Sequence, residues 1–227
     1  MKMQGSKFDN KEYLLNIMKS SFNEIVFEVF NSQNNIKWDD DFKNWILLKL
    51  NILLKNQFLN DLYIEKDDKI EWLLTTRTYD FSIKSKKLNR IVLVINLQKI
   101  FTNTNKTYYS TYKDIIFNTV NLWTKNIPYY SLVITSLNTM NEKWQNEIFS
   151  AKNLLRTFNW NKAWNINWLT KLILIDGDLK SPNFNIVNDT NTFIKNKQIC
   201  HALNTWVILP DIKLFFSDIY NILQKYN

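Results

Sequence analysis

Residues 78–99 have the sequence TYDFSIKSKKLNRIVLVINLQK, in which two apolar runs are separated by a short polar and basic segment. Because β-branched and aromatic residues dominate both runs, residues 79–83 and 90–95 are predicted to form strands. A third strand is expected just before them, at residues 71–75. The breaks between these runs are short and polar, so the three strands are expected to form a meander.

The sequence on both sides of this meander changes repeatedly between helix-like and strand-like patterns. Apolar residues three and four positions apart predict helices at residues 10–30, 39–62, 112–123, 141–158 and 211–226. Short apolar runs predict further strands at residues 129–137, 168–175 and 198–209. The whole pattern therefore indicates an α/β fold, in which helices flank a mixed central β-sheet.

The length and the hydrophobic content of the chain indicate one domain. The chain has 227 residues and 45% of them are hydrophobic, which is enough for a single well-filled core. We therefore interpret residues 1–227 as one domain, with a core at about 39–137 and a C-terminal part at about 138–227.

The composition narrows the classes of function. A net charge of +8 favours a polyanionic partner, although the abundance of Lys, Asn and Ile is also what drift in an A·T-rich genome produces. Cys200 is the only cysteine, so an internal disulfide is excluded. The sequence lacks an N-terminal secretory pattern and an apolar run long enough to span a membrane. These features predict a cytoplasmic protein without a membrane partner.

The single histidine, His201, restricts the possible chemistry. It lies in an apolar run, which favours a buried structural role. A Ser-His-Asp mechanism, a Cys-His mechanism or a histidine-rich zinc site would all have to use this one residue. Any hydrolysis is therefore expected to depend on carboxylates, lysine and a hard metal ion.

Polar side chains interrupt the second and third strands of the predicted meander. Asp80 lies in the second strand, whereas Asn96 and Gln98 lie at the end of the third and, two residues apart, point to one face. This segment and its order of elements resemble the PD-(D/E)XK nucleases. Within them it is most similar to blunt-cutting type II restriction endonucleases of the EcoRV kind, where a Tyr-Pro-Asp-aromatic segment leads to an Ile-Asp-Ile-Lys segment.

The resemblance implies a function and a role for each of these residues. Asp80 takes the place of the first metal ligand, Asn96 that of the second metal-binding acid, and Gln98 that of the catalytic lysine. The implied enzyme hydrolyses duplex DNA at a specific, A·T-rich palindrome, as a homodimer with Mg²⁺ and no small-molecule cofactor. A metal-activated water attacks the phosphate with inversion and leaves a 5′-phosphate.

The sequence departs from that family pattern at three positions. Tyr79 stands where the pattern has proline, and the neutral amides of Asn96 and Gln98 replace an acid and a lysine. An asparagine carbonyl still suits Mg²⁺ as a ligand. The candidates for the missing carboxylate are Asp61, Glu65 and Glu71, and Lys99 is a further source of positive charge.

Residues with DNA-binding chemistry surround Asp80 and follow the strand predicted at 168–175. Basic side chains near Asp80 and at the end of the third strand are expected to contact phosphates: Arg77, Lys84, Lys86, Lys87 and Lys99. The segment after residue 175 is expected to be a DNA-reading loop, because the similar enzymes carry such a loop in their C-terminal half. Its predicted DNA contacts are Lys180, Ser181, Asn183 and Asn185, and its Asp176 and Asp178 form a rival metal site.

Two further interpretations of the same residues stay open. The first is a DNA-binding protein of the same fold without catalysis, which the neutral Asn96 and Gln98 favour. The second is a partner-binding protein whose basic charge is incidental. Affinity for nucleic acid that falls steeply with salt distinguishes the first from the second.

Overall fold

The computed structural model describes residues 11–31, 38–58, 61–71, 76–100, 104–136, 168–176, 181–186 and 208–226. Its helices are α1 (Lys11–Lys19), α2 (Phe22–Asn31), α3 (Lys43–Gln57), α4 (Thr104–Thr124) and α5 (Ile212–Leu223). A π-helical turn, Trp38–Phe42, precedes α3, and a 3₁₀ turn, Gln224–Tyr226, follows α5. The strands are β1 (Leu62–Glu71), β2 (Thr76–Ser85), β3 (Arg90–Ile100), β4 (Tyr129–Ser136), β5 (Trp168–Asp176) and β6 (Asn185–Ile186).

The described strands form one mixed sheet in the order β1-β2-β3-β4-β5-β6. β1, β2 and β3 pair antiparallel, which confirms the predicted meander. The long helix α4 then returns the chain to the end of the sheet where β3 begins, so that β4 pairs parallel with β3. β5 is parallel to β4, and the short β6 closes the edge antiparallel to β5. The predicted α/β class with a mixed, helix-flanked sheet is confirmed.

Apolar side chains cover both faces of the sheet. On one face, Trp45 and Leu50 of α3 and Phe215 of α5 pack in the same cluster as Phe81 and Ile95. On the other face, Ile115 and Leu122 of α4 pack in a second cluster that includes Val94 and Tyr129. β3 is therefore apolar along most of its length because both of its faces are buried.

Several predicted boundaries differ from the structure, among them the start of α4, which is Thr104 and not residue 112. The helix predicted at 10–30 is divided at Ser21, whose hydroxyl accepts from Glu24 N (3.2 Å) while its own N–H donates to Glu24 Oε2 (2.6 Å). This reciprocal pair is a capping box, which starts a new helix. The helix predicted at 39–62 ends at Gln57 instead, and the first meander strand starts at Leu62, not at residue 71. That strand is charged because it forms the edge of the sheet.

Most of the other predicted helices and strands are confirmed, and the rest lie outside the described residues. Strands near 79–83, 90–95, 129–137 and 168–175 and the helices near 112–123 and 211–226 are confirmed. The helix predicted at 141–158 and most of the strand predicted at 198–209 lie outside the described residues. At the end of the latter, Ile208 forms a parallel bridge with Leu172 of β5. None of the described helices is both long and apolar enough to cross a membrane.

The packing of α3 on the sheet is tested by two truncations in one helix. Leu50 is fully buried in the first cluster, whereas Ile52 is 39% exposed. Leu50→Ala should lower the free energy of unfolding by about 2–5 kcal/mol, because it leaves a cavity. Ile52→Ala should cost less than about 1 kcal/mol. Urea denaturation of both variants measures the difference, and equal losses would contradict this orientation of α3.

Candidate functional site

The candidate site around Asp80 lies where the hydrogen-bonded pairing of β2 and β3 ends. Their ladder runs from Ser85 opposite Arg90 to Phe81 opposite Ile95, and side chains replace it beyond that point. Leu97 N donates to Asp80 Oδ2 (2.6 Å), and Asp80 N donates to Asn96 Oδ1 (3.1 Å). The structure therefore brings together the two residues that were predicted to bind metal.

The direction of the side chains changes along β2 at Asp80. In a regular strand Tyr79 and Phe81 would share a face, yet Tyr79 packs in the second cluster near Tyr129 and Phe81 packs in the first. On β1, Asp67 lies between the residues that pair with Tyr79 and Phe81, and its φ is 54°. Such a left-handed conformation is uncommon for a residue other than glycine. The irregularity in both strands directs Asp67 and Asp80 towards α3.

One lysine of α3 bridges these two carboxylates. Lys43, the first residue of α3, places Nζ 2.7 Å from Asp80 Oδ1 and 3.5 Å from Asp67 Oδ1. The side chains of Lys43 and Asp80 are only 17% and 15% exposed, while that of Asp67 is 52% exposed. A charge pair so far removed from water requires close partners, because desolvation of each ion is costly.

A second lysine, Lys66, extends the charged cluster at the start of α3. Its Nζ lies 3.0 Å from Asn44 Oδ1, 3.8 Å from Asp40 and 3.9 Å from Asp67. We use the name α3 cluster for Lys43, Lys66, Asp67 and Asp80. In this cluster Asp67 contacts both lysines, whereas Asp80 is paired with Lys43.

Burial raises the pKa of Asp80 above its ordinary value, and the nearby Asp67 carboxylate raises it further. The Lys43 ammonium and the N–H of Leu97 act in the opposite direction without cancelling the effect of burial. The charged form of Asp80 is therefore more costly here than it is in water. Because few water molecules solvate this carboxylate, a cation bound beside it would interact with it strongly.

Another network lies on the opposite side of the meander, around Lys84. Its Nζ is 2.6 Å from Glu65 Oε2 and 3.0 Å from Asp68 Oδ2, and Ser82 Oγ donates to Asp68 Oδ2 (2.5 Å). Although burial raises the pKa of Asp68, the hydrogen bonds from Ser82 and Lys84 hold it below its ordinary value. Lys84, predicted to contact phosphate, is thus held by two carboxylates. Glu65, a candidate for the missing acid, is paired with Lys84.

Asp61 and Glu71, which were also candidates for the missing acid, lie away from Asp80. Asp61 accepts from Ser85 Oγ (2.9 Å) and from Lys87 N (2.8 Å) at the turn that joins β2 to β3. Glu71 is the last residue of β1, and its carbonyl accepts from Lys125 Nζ. Asp67, which was not among the predicted residues, is the carboxylate that shares a cation with Asp80.

The predicted residues of β3 beyond Asn96 are Gln98 and Lys99. The Oε1 atom of Gln98 is buried and has no hydrogen-bond partner among the described residues. Lys99 is partly exposed and lies opposite Ile134 of β4. The structure thus brings together Asp80 and Asn96 of the predicted catalytic set, and it adds Lys43 to them.

The predicted phosphate contacts are spread along the meander. Arg77 donates to Asp114 Oδ1 (3.4 Å) and to Asn118 Oδ1 (3.2 Å), and its guanidinium lies over the Phe117 ring. Lys86 and Lys87 are exposed in the turn after β2. At the rise of a strand, that turn is about 20 Å from Asp80. Lys86 and Lys87 therefore lie far from Asp80, and Arg77 contacts α4 and not α3.

The predicted DNA-reading residues lie at the far edge of the sheet. Ser181, Asn183 and Asn185 are exposed beside β6, and both asparagines line a groove of about 1000 Å³ together with Trp45 and Lys49. Four strand spacings separate β6 from β2, or about 19 Å. Asp178, Lys180, Cys200 and His201 lie outside the described residues, and so does the side chain of Asp176.

The oxygen atoms at Asp80 are suitable for a hard cation. No group of three or more His, Cys, Asp or Glu side chains that could hold a metal occurs among the described residues. However, the carboxylates of Asp80 and Asp67 and the amide oxygen of Asn96 are ligand types that Mg²⁺ accepts. The Lys43 ammonium between the two carboxylates shows that a positive charge is accommodated there.

We compared the chain with protein-family models, with curated proteins and with solved structures. No match was found.

Lys43 and Asp67 were missed by the sequence analysis for identifiable reasons. Residues 39–62 were interpreted as one helix, so Asp67 fell between predicted elements. Lys43 was correctly predicted to lie in a helix, but the helical pattern does not show which strand this lysine faces. Residues 65–69 are all charged, so the sequence at 62–70 lacks the alternation that indicates a strand, and β1 had no clear local signal.

The hydrogen bond from Ser82 to Asp68 gives a pH-dependent prediction. Because the pKa of Asp68 is lowered in the folded state, its stabilising effect is present above its ordinary pKa of 3.8 and is lost as the pH falls through the folded value. Ser82→Ala should therefore lower the free energy of unfolding by about 1–3 kcal/mol at pH 7. The difference from the wild type should shrink towards pH 3 in urea denaturation. A pH-independent difference would show that the Asp68 charge is not involved.

Proposed function

We propose that this protein is a Mg²⁺-dependent, site-specific endonuclease that hydrolyses duplex DNA. The observation that carries the proposal is the contact of Asp80 with Asn96 at the point where β2 and β3 separate. There Asn96 Oδ1 accepts from the backbone N–H of Asp80, and the Asp80 carboxylate lies beside Lys43, in a site that is mostly shielded from water. Carboxylate and amide oxygens with a neighbouring ammonium are appropriate for hydrolysis of a phosphodiester.

The order of elements gives the proposal further support. α3, the meander β1-β2-β3, the crossover helix α4 and β4 follow one another as the resemblance to the PD-(D/E)XK nucleases implies. In that resemblance Asp80 and Asn96 occupy the positions of the two metal ligands. The net charge of +8 is consistent with a polyanionic substrate.

In the proposed reaction, a water oxygen forms a bond to phosphorus while the bond from phosphorus to the 3′ oxygen breaks. The 3′ oxygen leaves with a proton, so one water is consumed and a 3′-hydroxyl and a 5′-phosphate are formed. Bound Mg²⁺ would supply a more acidic water and stabilise charge on the phosphate. Asp80, Asn96 and Asp67 would hold the ion, and Asp80 would keep its bond to Leu97 N.

The resemblance also suggests the form of the substrate and of the enzyme. We propose a specific, A·T-rich palindrome as the target and a homodimer as the active species, because a palindrome presents two equivalent half-sites to a two-fold symmetric protein. The exposed Asn183 and Asn185 are suited to adenine edges, where an amide bonds to N6 and N7 together.

The proposal is tested by digestion of large A·T-rich duplex DNA in Mg²⁺ and, separately, in Ca²⁺. The wild type should give discrete fragments in Mg²⁺ only. Asp80→Asn retains the side-chain size but loses the charge, so cleavage should fall at least about 100-fold. Glu28→Ala, which removes an exposed acid of α2, is the matched control and should cut normally. Intact DNA in every lane of the wild type would overturn the proposal.

A second candidate function is sequence-specific DNA binding without cleavage. The neutral side chains of Asn96 and Gln98 favour it, as does the pairing of the Asp80 charge with Lys43. If this interpretation is right, the wild type should bind duplex DNA with a steep salt dependence and should not cut it. Asn96→Asp combined with Gln98→Lys should then produce Mg²⁺-dependent cleavage, measured by the same digestion. Binding that is indifferent to salt would contradict both nucleic-acid functions.

A further inference from the structure

The proposed reaction needs a positive charge near the phosphate. Negative charge grows on the phosphoryl oxygens in the transition state, and fixed cations in a water-poor site stabilise it effectively. Neither Asn96 nor Gln98 carries a charge, and the Oε1 atom of Gln98 is buried without a hydrogen-bond partner among the described residues. If the site cleaves DNA, the charge therefore comes from a residue outside this pair.

Lys43 has the position that such a residue requires. It lies at the start of α3, with Nζ 2.7 Å from Asp80 Oδ1, so its ammonium is within contact distance of the centre of the site. Its side chain is 17% exposed, so the charge is largely shielded from water. The other nearby lysine, Lys66, contacts Asp40, Asn44 and Asp67.

We propose that Lys43 is a catalytic residue that alternates between Asp80 and the scissile phosphate. In the metal-free protein its ammonium neutralises Asp80 and occupies the oxygen that a divalent cation would bind. The inference has two halves. The first is that Lys43 competes with a divalent cation for Asp80, which applies to the protein without DNA. The second is that Lys43 contacts the phosphate, and this half rests on the proposed function.

The electrostatics of the cluster explain why the two roles are compatible. The Asp80 side chain is only 15% exposed, so a cation beside its carboxylate offsets the cost of removing that charge from water. When a divalent ion takes that place, repulsion between like charges drives the Lys43 ammonium away from Asp80 Oδ1. A phosphate oxygen of the bound DNA would then be the nearest new partner for this ammonium. No proton or electron is transferred by Lys43 in this step.

Removal of the Lys43 charge should change metal binding and cleavage in opposite directions. We would use Mn²⁺ as the probe, because its binding to the full chain without DNA is measured directly by electron paramagnetic resonance. Lys43→Met should bind Mn²⁺ at least about fivefold more tightly than the wild type, since the competing charge is gone. With saturating Mg²⁺, its single-turnover cleavage rate should fall at least about 100-fold.

Two variants serve as controls for this experiment. Lys43→Arg retains the charge, so its Mn²⁺ affinity should stay near that of the wild type and part of the cleavage should be kept. Lys171→Met removes an equally buried lysine of β5, 17% exposed, which pairs with Asp218 and not with the α3 cluster. Its Mn²⁺ affinity and its cleavage rate should both stay within about threefold of the wild type. Urea denaturation establishes that each variant is folded.

The outcomes separate the two halves of the inference. Unchanged or weaker Mn²⁺ binding by folded Lys43→Met would overturn the competition between lysine and metal. Cleavage by Lys43→Met at the wild-type rate would overturn the contact with the phosphate. If the wild type itself cuts no DNA in Mg²⁺ or Mn²⁺, the proposed function fails and the phosphate contact fails with it. The Mn²⁺ measurement would still decide the competition at Asp80.

Discussion

The hydrogen bond from the backbone N–H of Leu97 to Oδ2 of Asp80 holds the sheet together where β2 and β3 no longer pair. Leu97 is buried, and a buried N–H without a partner would cost about 1–3 kcal/mol. Asp80 supplies that partner, while Asn96 accepts from the backbone of Asp80 in return. Because the same carboxylate also contacts Lys43, the closure of the sheet and the candidate chemistry depend on one side chain.

The edge strand β1 supplies charges to both sides of the meander, which explains why its sequence, LYIEKDDKIE, is so polar for a strand. The left-handed backbone of Asp67 divides these charges between two networks. Glu65 and Asp68 hold Lys84 on one side, and Lys66 and Asp67 meet the start of α3 on the other. In each network one ammonium bridges two carboxylates, an arrangement that offsets the cost of removing charges from water.

The two nucleic-acid functions differ in what the α3 cluster does and agree on where it lies. In a nuclease, the pairing of Lys43 with Asp80 is a resting state that a metal ion replaces. In a DNA-binding protein, the same ion pair is permanent and stabilises the separated ends of β2 and β3. Both functions make Asp80 structurally necessary, so a loss of stability on its replacement does not distinguish them. Measurements of metal affinity and of cleavage distinguish the two functions, because they depend on the charges of Lys43 and Asp80 and not only on the fold.

The sequence by itself predicted the strands β2 and β3 of the meander, the crossover helix and the strands β4 and β5, because periodicity and turn residues are local properties of a chain. The resemblance of residues 78–99 to a nuclease segment also predicted that Asn96 lies near Asp80, and the structure places the two residues in contact. Only the tertiary structure decided that Lys43 and Asp67 meet at Asp80. Those contacts depend on how α3 packs across the sheet and on an irregularity shared by β1 and β2. Neither the packing of a helix across strands nor a change of face inside a strand is encoded in a local pattern.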